Sequence, residues 1–355
     1  MKTLEACYEI EFNKINFLER KTRITHPKTI LSGPLRSGKS YLIYDYLSNF
    51  KSEHYLYLDL NDLRNNKEEI AKNLKVFIKQ HPIKVLVLEN YEFDFEFPLI
   101  DSVIITTSVI KNLKGFKNVW LNALDFEEFL LHDNKHQNII HSFNHFFKYG
   151  NLPEILSIDE SKKIKHLQDI LKTFACNASH LEILRILFDA IDEKKSLNQL
   201  FLVLKNSIKI SKDSFYALCK TYEENRLIYF IEKYNQPKAV KKLYCYNHGF
   251  LGAISHTKKF KHEFTNMVFL ELCHKYKEIY YLDFIDFYIK SKKSAIFSIP
   301  FFNDIQIDAI KKRVRLHAKE SEIKEVFIVT IANTQTFFVD SIKVEVRPFY
   351  EWALS

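Results

Sequence analysis

The stretch TILSGPLRSGKSYLIYDYL, Thr29 to Leu47, decides the reading of the first half of the chain. Its apolar pair Ile30-Leu31 runs into GPLRSGKS, Gly33 to Ser40, and then into a helix-like segment. A phosphate-binding loop of the form GxxxxGK[ST] therefore stands between a strand and a helix. Gly33 and Gly38 let the backbone turn successive N–H groups toward phosphate oxygens, and the following helix adds its positive N-terminal end. Lys39 is placed to reach the β and γ phosphates, and the Ser40 hydroxyl to ligate Mg²⁺. The expected binding set is Gly33, Pro34, Leu35, Arg36, Ser37, Gly38, Lys39, Ser40 and Tyr41, with ATP and Mg²⁺ as cofactors.

Working outward, YLYLDL within Glu53–Leu63 reads as a second buried strand, and KVLVLENYE, Lys84 to Glu92, as a third that ends in an acid. That is the pattern of a strand carrying a metal-site carboxylate. DSVIITTS, Asp101 to Ser108, reads as a fourth strand and VWLNAL, Val119 to Leu124, as a fifth. Strands alternating with helical segments such as Glu68 to Gln80 predict parallel pairing with crossover helices, hence a three-layer α/β domain over residues 1–150.

The 355 residues exceed one ordinary core and fit two or three domains. With 46% hydrophobic residues, 6 Gly and 8 Pro, extensive disorder and collagen-like or linker-rich architectures are excluded. The net charge of +8 permits nucleic acid or acidic partners without requiring them. Glu5 and Glu9 interrupt the start where a secretory signal needs an apolar run, and no stretch approaches the roughly 18 apolar residues of a membrane helix. The expectation is a cytoplasmic protein with no membrane partner. Five cysteines, far apart and never in a CxxC pair, suggest buried thiols rather than disulfides or a zinc knuckle.

GPLRSGKS, VIITTS, ALDFEEFLLHD (Ala123 to Asp133), YGNLPEIL (Tyr149 to Leu156), NMVFLEL (Asn266 to Leu272) and VEVRPFYEWAL (Val344 to Leu354) follow one another along the chain. In that order they resemble the prokaryotic AAA-type ATPases in which a P-loop domain is followed by a winged helix and a C-terminal domain similar to PD-(D/E)XK nucleases. The resemblance implies a P-loop domain over 1–150, a helical lid and winged-helix module over 151–240, and an α/β nuclease-like domain over 241–355. It also places a sensor at Thr106, Thr107 and Ser108, with Thr107 beside the γ phosphate, where the alternative is ordinary strand threonines.

The third strand departs from the family. Its Asp-Glu pair, the Asp supporting Mg²⁺ and the Glu polarising water, aligns most simply with Glu89 and Asn90. An amide cannot accept a proton, so Asn90 at this catalytic position removes a base worth roughly 10²–10⁴-fold. A shift of one residue instead makes Glu89 the water-activating acid and leaves Leu88 at the metal position, with Asp59, Glu92 or Asp94 as substitutes. An arginine that members often carry before the fifth strand is replaced by Phe116 and Lys117 in LKGFKNVW. Asp59, Asp62 and Arg64 close the second strand, either toward the nucleotide or as caps of the next helix.

Apolar residues three and four apart predict helices over 179–191 and 196–205, and a third segment, 211–236, starts at a cap and ends strand-like, the order of a winged helix. Lys205, Lys209, Lys212 and Lys220 would face DNA phosphates in that module, or solvent. At the nuclease-like site the candidates are Glu263 or Glu271 and Asp286, but SAIFSIPFF, Ser294 to Phe302, puts Phe297, Ser298 and Ile299 where an acid and a lysine are expected. A catalytically dead domain follows as the expectation. The basic run Lys311 to Glu320 spreads its charge around a helix. His132 with His136, and His141 with His145, have metal-ligand spacing but no third ligand in sequence. The combined reading is a Mg-ATP-binding protein with slow ATPase activity that couples nucleotide state to domain arrangement. Its alternatives are a non-hydrolysing ATP-gated module with a protein partner or self-association, and a DNA-directed ATPase.

Overall fold

In the computed structural model, residues 1–12, 18–107, 112–257, 259–318 and 321–355 are described. The chain divides into two compact units, Met1–Ala123 and Leu124–Ser355.

The N-terminal unit is built on five parallel strands: β1 (Lys28–Ser32), β2 (Tyr55–Asp59), β3 (Val85–Glu89), β4 (Ser102–Thr106) and β5 (Lys117–Trp120). They lie in the order β2-β3-β4-β1-β5, so β4 separates the loop-bearing strand from the acid-bearing one. Side chains alternate across the sheet and both faces are covered, which is why the central strands read as continuous apolar runs. Leu56, Leu58, Leu86, Leu88 and Val103 pack with helices α1 (Lys2–Tyr8) and α3 (Lys67–Gln80). Tyr55, Tyr57, Val85, Val87 and Ile104 pack on the other face with Leu42, Ile43 and Leu47 of α2 (Lys39–Leu47). In α3, Ile70, Leu74, Phe77 and Ile78 form one buried stripe, and the Asn66 side chain caps its N-terminus by accepting the Glu69 N–H.

β5 differs from the expected 119–124. The strand covers Lys117–Trp120, mostly exposed residues at the sheet edge, whereas the apolar Leu121 and Leu124 are buried outside it. Edge pairing with β1, ended by the Leu121 N–H on Ser32 O at 2.8 Å, prevails over hydropathy here.

The C-terminal unit begins with α4 (Phe126–His132), closed by a capping box of Asp125 and Glu128, then α5 (Ile139–Tyr149), α6 (Glu160–Phe174), α7 (Ala178–Asp189), α8 (Leu197–Leu204) and α9 (Lys212–Glu224). An antiparallel hairpin of β6 (Ile228–Ile231) and β7 (Lys242–Cys245) leads into α10 (Gly249–Ile254) and α11 (Phe260–Lys275). Six strands follow: β8 (Tyr280–Leu282), β9 (Ile285–Ile289), β10 (Ser294–Ser298), β11 (Glu325–Thr330), β12 (Gln335–Val339) and β13 (Ile342–Pro348), with α12 (Ile307–Ala318) before β11 and α13 (Phe349–Ala353) at the end. Their order is β12-β13-β11-β10-β9-β8; β8, β9 and β10 run antiparallel in succession, and β10, β11 and β13 run parallel. Phe349 of VEVRPFYEWAL packs edge-on against Phe126 of ALDFEEFLLHD with ring centroids 5.6 Å apart, so two of the quoted stretches meet in one core.

Candidate nucleotide site

The site lies at the C-terminal ends of β1 and β3, where an open parallel sheet presents its crevice. β1 gives way at Gly33 to a loop that passes so close to the residue following β5 that a Cβ at Gly33 would stand 2.1 Å from Leu121 O. Gly38 caps α2 with a left-handed φ of 95°, which a glycine adopts without steric cost. Arg20, buried ahead of β1, braces the turn by donating to Ser37 O at 2.8 Å and to Asn122 O at 2.9 Å. No motif in the sequence marks this arginine.

Lys39 folds back over its own loop, donating from Nζ to Gly33 O at 2.9 Å and Pro34 O at 2.7 Å. Burial lowers its pKa to about 8, with the Glu89 carboxylate pulling the other way. Ser40 turns its hydroxyl to Glu89 Oε1, and the Tyr57 hydroxyl donates to Glu89 Oε2. Burial raises the Glu89 pKa; these two donors lower it in part. The Tyr44 hydroxyl lies 3.2 Å from that of Tyr57, and the Phe12 ring stacks on Tyr44 at 4.4 Å, so an aromatic wall backs the carboxylate. Tyr57 escaped the sequence reading, although the alternation in YLYLDL puts it on the same face as Asp59.

The geometry brings Glu89, and not Leu88, to the loop: Leu88 is buried on the opposite face with the α1 and α3 residues. Asn90 has a φ of 58°, donates its N–H to Thr106 Oγ1 at 2.9 Å and its side-chain amide to Asp59 Oδ1 at 2.8 Å. Thr106 is buried and its hydroxyl is engaged in this contact, while Thr107 is partly exposed just past β4; Ser108 lies outside the described residues. Leu35, Arg36 and Tyr41 are exposed along the loop and the first turn of α2. Asp62 and Arg64 pair with each other at 2.5 Å, and Glu92 and Asp94 are exposed beyond β3. Phe116 packs into the α1–α3 core and Lys117 Nζ donates to Thr25 Oγ1 at 3.4 Å.

In the C-terminal unit Asp286 is buried in a cluster with chain cations. Its Oδ2 accepts the Ser298 N–H at 2.8 Å, and its Oδ1 lies 3.7 Å from Lys242 Nζ and 3.8 Å from Lys261 Nζ. Lys242 donates to Asp192 Oδ1 at 2.7 Å, and the Tyr244 hydroxyl to the same oxygen at 2.8 Å. Burial raises the Asp286 pKa, reinforced by Asp192; burial opposes the Lys242 ammonium, but the two aspartates outweigh it and its pKa rises. Glu271 is occupied elsewhere, accepting the Phe126 N–H at 3.1 Å.

The two histidine pairs are mixed by the fold. Asp133, His136 and His145 offer ligand atoms within 4.8 Å of one another, but the buried Lys163 ammonium already sits against His145 Nε2. Lys220 pairs with Glu224 at 3.7 Å and Arg315 with Asp340 at 2.9 Å, which reduces the positive charge offered by those helices; Lys319 and Glu320 lie outside the described residues.

A five-stranded parallel sheet, a glycine loop leading into α2, and an acid on β3 facing the loop serine together form the architecture of a P-loop domain. The chain matches no protein-family profile. An uncharacterized protein of Methanocaldococcus jannaschii is 20% identical over a 394-residue alignment, spanning 92% of this chain and 88% of that protein. Among solved structures, a Walker-type ATPase of Pyrococcus abyssi is similar at 13% identity and a TM-score of 0.44, over 65% of this chain and 91% of its own. A structure of Drosophila ORC bound to DNA is similar at 12% identity and a TM-score of 0.21, over 61% of this chain and 86% of its own. At these scores the similarities carry no argument about activity, which rests on the site itself. No helix among the described residues is long and apolar enough to cross a membrane.

Proposed function

We propose that the N-terminal unit binds Mg-ATP on the loop Gly33–Ser40 and hydrolyses it slowly, its nucleotide state governing the domains that follow. The observation that carries this reading is the bond from Ser40 to Glu89, formed beside a lysine that rests on loop carbonyls. A hydroxyl and a carboxylate are the hard oxygen donors that Mg²⁺ takes, so Ser40 and Glu89 fit the ion and would hold it. When bound, it neutralises charge on the phosphate oxygens. Lys39, whose hydrogen bonds among the described residues go to neutral carbonyls, would exchange them for phosphate. Calorimetric titration with Mg-ATP should show saturable binding that Lys39→Ala abolishes. Equal affinity in the two proteins would sink the nucleotide reading.

A second reading, a non-hydrolysing ATP-gated interaction module, is favoured by Asn90, whose amide stands where the family carries its base. Single-turnover hydrolysis separates the two: tight binding with no product over hours supports the gate.

For the remainder we read residues 151–240 as a helical lid and winged helix, supported by α7, α8 and α9 followed by the β6–β7 hairpin. Residues 241–355 are read as an inactive nuclease-like domain, supported by the succession α11, three antiparallel strands, α12 and the parallel β11. Lys242 and Lys261 hold the positive charge beside Asp286, and no second acid stands on β10. Mg²⁺-dependent DNA cleavage lost on Asp286→Ala would overturn the inactive assignment.

A further inference from the structure

β2 and β3 are parallel neighbours in which Asp59 pairs in register with Glu89. Their backbones lie about 4.8 Å apart, so the two carboxylates leave the same sheet edge side by side. Tyr57, two residues before Asp59, reaches Glu89 on the α2 face, and alternation along the strand sends Asp59 to that same face, the face of the phosphate loop.

Asn90 fixes where Asp59 points. Its left-handed backbone, which asparagine tolerates, is pinned by the N–H bond to Thr106 Oγ1. From there the side-chain amide donates to Asp59 Oδ1 at 2.8 Å, and the Asn61 N–H donates to the same oxygen at 2.9 Å. Both bonds fall on Oδ1. Oδ2 has no hydrogen-bond donor among the described residues, and Asp59 is partly exposed. One oxygen is anchored and the other is presented.

Resting on the Mg-ATP reading above, we infer that Asp59 is the general base for hydrolysis and that Asn90 is the positioning residue that orients it. The carboxylate assigned to this role stands at the end of β2, and the amide at position 90 serves as its holder. In the step this assigns, the oxygen of a water forms a bond to Pγ while the bond from Pγ to the β–γ bridging oxygen breaks. The electron pair stays on the bridging oxygen, which departs with ADP, and the water proton passes to Asp59 Oδ2 and then to solvent.

The test compares single-turnover hydrolysis and Mg-ATP affinity in the full chain. Asp59→Asn, which keeps the Oδ1 acceptor and the side-chain shape, is expected to retain affinity within about twofold and to slow hydrolysis by roughly 10²–10⁴-fold. Asn90→Ala is expected to slow hydrolysis by roughly tenfold, and the double variant to be no slower than Asp59→Asn alone, because the amide acts through the carboxylate. An Asp59→Asn rate within threefold of wild type overturns the assignment, and so does a wild type that binds Mg-ATP without turning it over. Strictly additive losses in the double variant overturn the positioning role of Asn90. Failure of the parent reading looks different: wild type then shows no Mg-ATP binding.

Discussion

Lys39 and Lys242 both stand beside buried carboxylates, and the chain holds them in opposite ways. Lys39 rests on two backbone carbonyls, with Glu89 occupied by the hydroxyls of Ser40 and Tyr57. Each of those partners is neutral and replaceable by phosphate or metal. Lys242 is clamped between Asp192 and Asp286, with Lys261 within 4 Å of both acids, so each carboxylate has cationic partners from the chain in addition to the neutral donors Tyr244 and Ser298. A binding site keeps its charges only partly matched until the ligand arrives; a structural cluster matches them internally. The first arrangement stays open to an outside ion, and the second has closed around its own.

Removing each lysine is the strongest way to break this comparison. Lys242→Met leaves two buried aspartates with only the solvent-exposed Lys261 ammonium near them, and stripping the buried partner from such a cluster costs about 3–5 kcal/mol. Hydrogen exchange of the β7 and β9 amides should accelerate accordingly. Lys39→Met removes an ammonium that burial already disfavours, so exchange in β1 and α2 should change by no more than about 1 kcal/mol while Mg-ATP binding disappears. If Lys242→Met costs as little as Lys39→Met, the cluster is not charge-closed and the contrast fails.

Protons probe the same contrast with somewhat smaller effects. His248 is buried in the C-terminal unit and donates from Nε2 to Phe146 O at 2.8 Å. Burial lowers its pKa to about 4 from an ordinary 6.5. Because the folded value is the lower one, its contribution is complete above pH 6.5 and is lost as the pH falls toward 4, on the order of 3 kcal/mol. Urea unfolding followed by Trp352 in a Trp120→Phe background should show this loss, and His248→Gln should flatten it.

Lys39, by contrast, is poised near the working pH. With its pKa at about 8, the free protein loses the ammonium as the pH rises through that value. Mg-ATP affinity should therefore weaken by about tenfold between pH 7 and 9, or roughly 1.4 kcal/mol. An affinity flat across that range would mean that the lysine is not the titrating contact.

The P-loop was legible because its glycines, lysine and serine are contiguous, and the central strands because burial on both faces leaves only apolar residues before Glu89. The amphipathic helix α3 carried its stripe and its cap in plain order. What could not be read was register. The Asn90–Asp59 contact joins residues 31 apart at the ends of adjacent strands, and the pairing of Asp59 with Glu89 brings them together. The same holds for Asp192, Lys242 and Asp286, which come from a turn, a hairpin strand and a sheet strand. β5 was misplaced because an edge strand is defined by its backbone partner and not by its apolar content.

The smallest expected effect concerns Tyr57. Its hydroxyl donates to Glu89 Oε2 and lies 3.2 Å from that of Tyr44, so Tyr57→Phe deletes one donor to a buried carboxylate without changing the ring that Phe12 packs against. A hydrogen bond of this kind contributes about 1 kcal/mol, and hydrogen exchange at β2 and β3 should register a loss of that size. The functional outcome is the sharper one. If Ser40 and Oε1 suffice for the ion, the magnesium dependence of ATP binding should stay within about twofold of wild type. A larger weakening would make the tyrosine part of the ion-holding set, and the replaceable partners of Glu89 would then be fewer than the contrast with Asp286 requires.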